Sequence, residues 1–178
     1  MGEIKSTLDI VMEKTRHLTL SQEERAEQKQ GEIRNRLRGL IQKYNDRKLK
    51  KGDLAEKLDL LKETHGLNTK DMLTRMLLEG LALGRSNESD MGLLNGICGI
   101  DVLEIETLFL DFNNQITSAF QKHSKKIKKN LAKMHRISGS AVVPNLERDN
   151  EWLTTVQEIT SQYDRILVQR KAALTGDS

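Results

Sequence analysis

The sequence predicts an all-α protein, an elongated helical bundle that ends in a long antiparallel helical hairpin. Three observations support this prediction. The 178 residues include only one Pro, three Phe, two Tyr and one Trp, whereas strands favour aromatic and β-branched residues and need turn residues between them. Apolar residues recur every eleven positions between residues 101 and 137. A heptad-spaced apolar pattern follows from Trp152 to Ala173.

The first third of the chain predicts three helices. Residues 3–17 place apolar side chains on one helical face. The Ser-Gln-Glu-Glu sequence that starts at Ser21 is a capping box, which predicts a second helix reaching Asn45. Asp53 is a candidate N-cap for the third helix, and Gly66 is placed to end it.

The middle of the chain predicts one amphipathic helix and a glycine-rich segment. The helix covers residues 69–83, and Gly84 ends it. Residues 85–90 are polar and predict a loop. Residues 91–99 combine apolar side chains with glycines, which predicts a short buried helical turn in which the backbone approaches its neighbours closely.

The strongest pattern belongs to the predicted hairpin. Asp101 is a good N-cap for a helix to Ile137, about 55 Å long at 1.5 Å per residue. An eleven-residue period corresponds to about 3.67 residues per turn, which predicts a straight or slightly right-handed helix. The three rows of its apolar seam are Ile105, Ile116 and Ile127; Phe109, Phe120 and Leu131; and Phe112, His123 and Met134.

The break after this helix sets the direction of the last one. Gly139 and Pro144 cannot continue the helix, and Asp149 is a candidate cap for a final helix to Leu174. A short linker between two amphipathic helices favours antiparallel neighbours. We therefore predict a hairpin over residues 101–178, with the N-terminal helices of residues 1–100 packing on it as a second domain or as part of one single domain.

No motif in the sequence predicts catalysis or cofactor binding. Cys98 is the only cysteine, which excludes an intramolecular disulfide, and the histidines are scattered, so no metal site is expected. His123 lies within the apolar seam, either as a histidine hydrogen-bonded across the hairpin or as a pH-sensitive switch. Asp101, Glu104 and Asp111 are either paired carboxylates for acid–base chemistry or a solvated face near a helix N-terminus.

Charge is strongly segregated along the chain. Residues 31–52 contain eight Lys/Arg and two acids, a net charge of +6. Residues 53–112 contain five Lys/Arg and twelve acids, a net charge of −7. Residues 113–136 contain seven Lys/Arg and no acid. The net charge of +3 for the whole chain conceals these differences.

Five of these cations form a row that we call the basic stripe, because their spacing of four, three, four and three residues places them on one helical face. The stripe is predicted to face away from the apolar seam, toward solvent or a partner. Arg34 and Arg38 belong to the earlier basic segment and are further candidate binding residues. The basic stripe consists of Lys122, Lys126, Lys129, Lys133 and Arg136.

These features predict a non-enzymatic helical scaffold or interaction protein that binds a protein partner or self-associates. The alternative is a sequence-nonspecific binder of nucleic acid or ribonucleoprotein that uses the basic stripe to neutralise phosphates. No small-molecule substrate is evident. The sequence lacks a secretory signal and a membrane-length apolar run, so we expect a cytoplasmic protein that does not bind a membrane.

Overall fold

The computed structural model describes residues 21–65 and 68–175, and in these ranges it contains helices and no strand. The all-α prediction is confirmed. The helix predicted at residues 3–17 and the end predicted at Gly66 lie outside the described residues. The chain forms two compact units, Met1–Thr69 and Lys70–Ser178.

The first unit contains α1 (Gln22–Asn45) and α2 (Lys51–His65). The predicted capping box opens α1: Ser21 Oγ accepts a hydrogen bond from Glu24 N at 3.1 Å, and the Glu24 carboxylate accepts one from Ser21 N at 2.7 Å. The two helices pack through buried residues, which are Ile33 and Leu37 of α1 and Leu54 and Leu58 of α2.

The start of α2 differs from the prediction. Leu54 N donates to the Lys50 carbonyl at 3.0 Å, so the helical hydrogen bonds begin before Asp53. The predicted N-cap is therefore wrong, and Asp53 lies inside the first turn of α2. A carboxylate there still favours the helix, because it faces the positive end of the helix dipole.

The second unit contains four α-helices. The helix predicted at residues 69–83 ends three residues early, and a short helix replaces the last part of the loop predicted at 85–90. The predicted turn is present as a π-helical turn, Leu94–Cys98, which is buried at Leu94 and Cys98, and Gly99 ends it with a φ of 70°, which favours glycine. The close backbone approach expected of its glycines is wrong at Gly92, which faces open space. The helices are α3 (Thr69–Gly80), α4 (Glu88–Leu93), α5 (Leu103–His135) and α6 (Asn150–Thr175).

A hydrogen-bond network around the buried Asn87 holds the loop between α3 and α4. Its Oδ1 accepts from Ala82 N at 3.1 Å and from Arg85 Nε at 3.0 Å. Its Nδ2 donates to the carbonyl oxygens of Ala82 at 2.8 Å and Arg85 at 3.3 Å. Arg85 also forms an ion pair with Asp90. One side chain therefore satisfies the backbone of a loop that sequence reasoning treated as merely polar.

The predicted antiparallel hairpin is formed by α5 and α6. The ring of Phe112 meets the edge of Tyr163 at a centroid distance of 5.6 Å, and Phe120 meets Trp152 at 5.8 Å. As the position on α5 advances, its partner on α6 moves back toward the start of that helix. The predicted cap is also confirmed, because Asp149 Oδ1 accepts from Trp152 N at 3.0 Å.

Burial along α5 is uneven. Ile105, Phe109 and Phe112 are buried, but the later seam residues Phe120 and Met134 are exposed, Met134 by 77%. The predicted seam is thus a core only near its start. Contact with a single neighbouring helix covers a narrow stripe, whereas full burial needs neighbours on several sides. Burial therefore indicates that the first turns of α5 are covered more completely than the last turns.

The end of α6 is tied to the end of α3. Lys171 Nζ donates to the Leu81 carbonyl at 2.6 Å, just past the last turn of α3. Burial lowers the pKa of Lys171, and the neighbouring Asp164 carboxylate partly opposes that shift. A cation at a helix C-terminus also interacts favourably with the helix dipole. This contact fastens the last helix of the hairpin to the core of the second unit.

We expect Asn87→Ala to lower the free energy of unfolding by about 2–4 kcal/mol, because it leaves buried backbone groups without hydrogen-bond partners. Urea unfolding followed by circular dichroism measures the change. Ser86→Ala, a truncation at the exposed neighbouring position, is the control. If Asn87→Ala lowers the free energy of unfolding no more than Ser86→Ala does, the hydrogen-bond network around Asn87 does not stabilise the loop.

Cys98 is expected to resist alkylation in the native protein. It is only 6% exposed, and burial raises the pKa of its thiol, so little reactive thiolate forms. Labelling with iodoacetamide, followed by mass spectrometry, is expected to be about a hundredfold slower in buffer than in denaturant. The rates are corrected for the effect of denaturant on the reaction, which is measured with a free thiol. Equal corrected rates in buffer and in denaturant would contradict the burial of Cys98.

Candidate interaction surface at the loop end of the hairpin

We define the loop end of the hairpin as residues 120–153, which comprise the last turns of α5, the linker and the first turns of α6. A turn of 3₁₀-helix, Leu146–Arg148, precedes α6 and buries Leu146. The loop end contains the whole basic stripe. It also contains the part of the apolar seam that remains unburied, so exposed cations and exposed apolar side chains occur at the same end of the hairpin, on different faces of α5.

All five side chains of the basic stripe are exposed. Lys126 Nζ lies 2.6 and 2.7 Å from the two carboxylate oxygens of Glu151. Lys126 is therefore neutralised within its own hairpin, although the stripe is predicted to face solvent or a partner. Antiparallel packing brings the first turn of α6 beside this lysine, a contact that the pattern of α5 alone does not reveal.

The rest of the stripe has no such partner. Within the described part of the chain, Lys122, Lys129, Lys133 and Arg136 form no ion pair. Lys125 and Lys128, which lie beside the stripe, are also unpaired there. Of the seven cations in residues 113–136, one forms an ion pair with a described residue and six do not.

The charge pattern of each helix explains why the hairpin closes in this direction. Both helices carry acids in the first turn, which the helix dipole favours. Antiparallel packing then places the acidic start of one helix beside the basic end of the other. The two ion pairs between the helices show this: Lys126 with Glu151, and Arg170 with Glu104 at 2.6 Å.

Several large apolar side chains of the loop end are exposed as well. Val143 in the linker is 83% exposed. Large exposed apolar groups that cluster on one surface mark sites of association more often than scattered ones do. The other exposed large apolar residues of the loop end are Phe120, Met134, Ile137 and Leu153.

His123 lies at the centre of the loop end and packs edge-on against Trp152, with ring centroids 5.6 Å apart. Its Nε2 is 3.3 Å from Thr155 Oγ1 on the opposite helix. This geometry agrees with the interpretation of a histidine hydrogen-bonded across the hairpin; the pH-sensitive switch stays a hypothesis. Asp149 and Glu151 approach the same imidazole, and one ligand atom from each of the three residues lies within 4.8 Å of the others.

Sequence reasoning missed this cluster, because His123 and the two acids are more than twenty-five positions apart. They meet only when the hairpin closes, and no local spacing signals the contact. Asp149 was predicted as a cap and Glu151 was not singled out. The nearest signal in the sequence is the polar histidine within an apolar seam, which indicates that something polar must face it.

The remaining candidate residues lie elsewhere. Arg34 and Arg38 are exposed on α1 in the first unit, and neither forms an ion pair with another described residue. Asp101 Oδ1 accepts from Leu103 N at 3.0 Å, and Glu104 pairs with Arg170. Both acids and Asp111 are exposed, as expected of a solvated face near a helix N-terminus.

A groove also runs along one face of α6. Its lining residues come from that single helix, so polar groups do not converge on it from several elements as they do in ligand sites. The lining residues are Thr154, Gln157, Glu158, Ser161, Gln162, Arg165, Ile166 and Gln169.

Comparisons of the chain with family models, curated proteins and solved structures give no match. None of the described helices is both long enough and apolar enough to pass through a membrane.

We expect Lys129→Glu to raise the free energy of unfolding by about 0.5–1 kcal/mol at low salt, because it relieves repulsion and forms pairs with Lys125 and Lys133 one turn away. Urea unfolding at low and high ionic strength measures the gain, which screening should reduce. The control, Lys57→Glu on α2, removes a favourable neighbour of Asp53 and should not stabilise. A loss of stability in Lys129→Glu would contradict an uncompensated stripe.

Proposed function

We propose that the protein is a non-enzymatic helical interaction protein whose hairpin binds an acidic surface of a protein partner. One observation supports this proposal above the others: unpaired cations and exposed apolar side chains occupy the same end of the same hairpin. A free Cys98 fits a reducing compartment, so we propose that the interaction takes place in the cytoplasm.

The charge of the loop end supports an acidic partner. Like charges one turn apart on a helix destabilise it by about 0.2–0.5 kcal/mol per pair, and Lys129 faces Lys125 and Lys133 at that spacing. Oppositely charged side chains would remove the cost, yet residues 113–136 include no acid. A complementary acidic surface on a partner offsets this repulsion and speeds encounter.

The apolar residues favour a protein over other acidic partners. Met134 and Val143 would each lose solvent exposure against an apolar partner surface, with a gain of about 25 cal/mol for every Å² buried. Phosphates offer no such surface. A partner that matches both features has acidic side chains around an apolar centre, such as an acidic amphipathic helix.

The nucleic-acid alternative rests on the spacing of the stripe. Lys122, Lys129 and Lys133 lie on one helix without competing acids, as expected of cations that contact successive phosphates. Arg136 lies just past that helix, which ends at His135 and not at the predicted Ile137, and takes a left-handed conformation with a φ of 55°. Single strands also need aromatic platforms for their bases. Phe120 and Trp152 pack against each other instead, which makes this alternative the weaker one.

Self-association is the second form of the same proposal. The start of α5 presents Glu106 and Asp111, both exposed, and neither forms an ion pair with another described residue. These carboxylates would supply the acidic surface if the partner were a second copy of the chain. A second copy has the advantage of closed two-fold symmetry, in which each hairpin contributes both surfaces.

The test compares two loop-end variants with a matched control. The first variant, Lys122→Glu/Lys129→Glu/Lys133→Glu, reverses charge, and the second, Met134→Ser/Val143→Ser, removes apolar surface. The control, Lys57→Glu/Lys62→Glu, reverses exposed cations on α2. Captured proteins are identified by mass spectrometry, and the purified partner is titrated against each variant. We expect both loop-end variants to weaken binding at least tenfold, about 1.4 kcal/mol, and the control to retain it.

Two further measurements separate the alternatives. Light scattering over a range of concentrations reports self-association, which the charge-reversed variant should abolish. Fluorescence anisotropy with duplex and single-stranded oligonucleotides reports nucleic-acid binding, for which five phosphate contacts predict a slope of log K against log salt of about −4. Tight, stripe-dependent binding of nucleic acid without a protein partner would replace the leading proposal with its alternative. Equal binding by the loop-end and control variants would contradict both.

A further inference from the structure

We propose that His123, Asp149 and Glu151 form a binding site for a divalent transition-metal ion of the Zn²⁺ type, held between the two helices of the hairpin. His123 lies on α5, Asp149 caps α6, and Glu151 lies in the first turn of α6. The inference does not depend on the proposed partner. It rests on the side chains that the closed hairpin brings together.

The spacing of the ligand atoms suits such an ion. One nitrogen or oxygen from each residue lies within 4.8 Å of the other two. A tetrahedral Zn²⁺ ion with bonds of about 2.0–2.1 Å holds its ligand atoms about 3.3 Å apart. Rotation of the exposed Glu151 side chain would bring its oxygen closer to the other two ligand atoms. Three protein ligands leave a fourth position for water.

Hydrogen bonding assigns the free nitrogen of His123. Thr155 Oγ1 donates its proton to the Glu151 carbonyl at 2.8 Å, so toward Nε2 of His123 it can only accept. The imidazole therefore carries its proton on Nε2, and Nδ1 presents a lone pair. That Nδ1 is buried and has no hydrogen-bond partner, an uncommon state for a buried polar atom.

This arrangement resembles the usual support of a metal-binding histidine. Such a histidine donates its second ring N–H to a neighbour, which fixes both the tautomer and the ring orientation. Thr155 provides that contact, and the edge-on ring of Trp152 holds the other side of the imidazole at 5.6 Å. The ring is thus already oriented, with its unprotonated nitrogen unused.

The Glu151 carboxylate already attracts a cation. The ammonium group of Lys126 binds both oxygens of Glu151, and a metal ion would displace it. The Lys126 side chain is 56% exposed, so it can return to solvent at little cost. Asp149 uses Oδ1 to cap α6, which leaves Oδ2 available.

The ligand set selects the class of metal. One imidazole nitrogen and two carboxylate oxygens suit Zn²⁺ and neighbouring first-row ions. Ca²⁺ and Mg²⁺ prefer oxygen ligands alone and would gain nothing from His123. A bound ion would link α5 to α6 where the hairpin is least buried, and it would release Lys126 to join the unpaired cations.

Calorimetric titration of the full chain with Zn²⁺, supported by the visible spectrum of Co²⁺, tests the site. His123→Gln and Glu151→Gln each remove one ligand, and we expect each to weaken Zn²⁺ binding at least tenfold. His135→Ala, at an exposed histidine of the same helix, is the matched control and should bind like the wild type. Asp149→Asn removes the charge but retains a good N-cap.

A second variant makes the competition visible. Lys126→Met removes the ammonium group that occupies Glu151, so we expect it to bind Zn²⁺ several-fold more tightly than the wild type. Melting temperatures with and without metal show whether each variant folds. A Zn²⁺-dependent rise is expected in the wild type and in His135→Ala but not in His123→Gln.

Two results would overturn the proposal. Binding that persists in His123→Gln, or that disappears in His135→Ala, would mean an adventitious ion only. Absence of saturable binding by the wild type and by Lys126→Met would exclude the site altogether. Neither result bears on the partner-binding experiments, because the charge-reversed and apolar variants leave all three ligands in place.

Discussion

The antiparallel contact between α5 and α6 is the constraint on which the rest of the second unit depends. Edge-on aromatic pairs, Phe112 with Tyr163 and Phe120 with Trp152, fix the register, and an ion pair near each end of the contact agrees with it. The same contact brings His123 to Asp149 and Glu151. A shift of one helical turn, about 5.4 Å, would separate these side chains and expose the aromatic rings.

Features that depend on contacts between residues close in sequence could be predicted from the sequence. The capping box at Ser21 and the cap at Asp149 depend on contacts within three residues, so the sequence pattern contains all the information needed. The direction of the hairpin followed from a short linker and two amphipathic faces. The cap assigned to Asp53 was wrong because Leu54 N already donates to the Lys50 carbonyl, so the helix begins before Asp53. The cap assigned to Asp101 was also wrong, because Val102 is the N-cap of α5.

Features governed by distant contacts were not accessible. Periodicity located the apolar side of α5 but could not show that burial stops after Phe112, because that depends on which other helices reach it. It also could not pair Lys126 with Glu151, twenty-five residues away. The multiple bonds of Asn87 were missed for a related reason, since a polar residue in a loop has the same appearance whether it is buried or solvated.

The uneven burial of α5 has a mechanical consequence. The first turns of the helix are buried at Ile105 and Phe109. Along its far end, α6 is the described helix that packs against it. We expect the poorly buried end of the helix to bend or open locally while the buried turns at its start stay folded. Because α5 is one continuous helix, Leu103–His135, a partner that orders its far end would also act on the buried turns at its start.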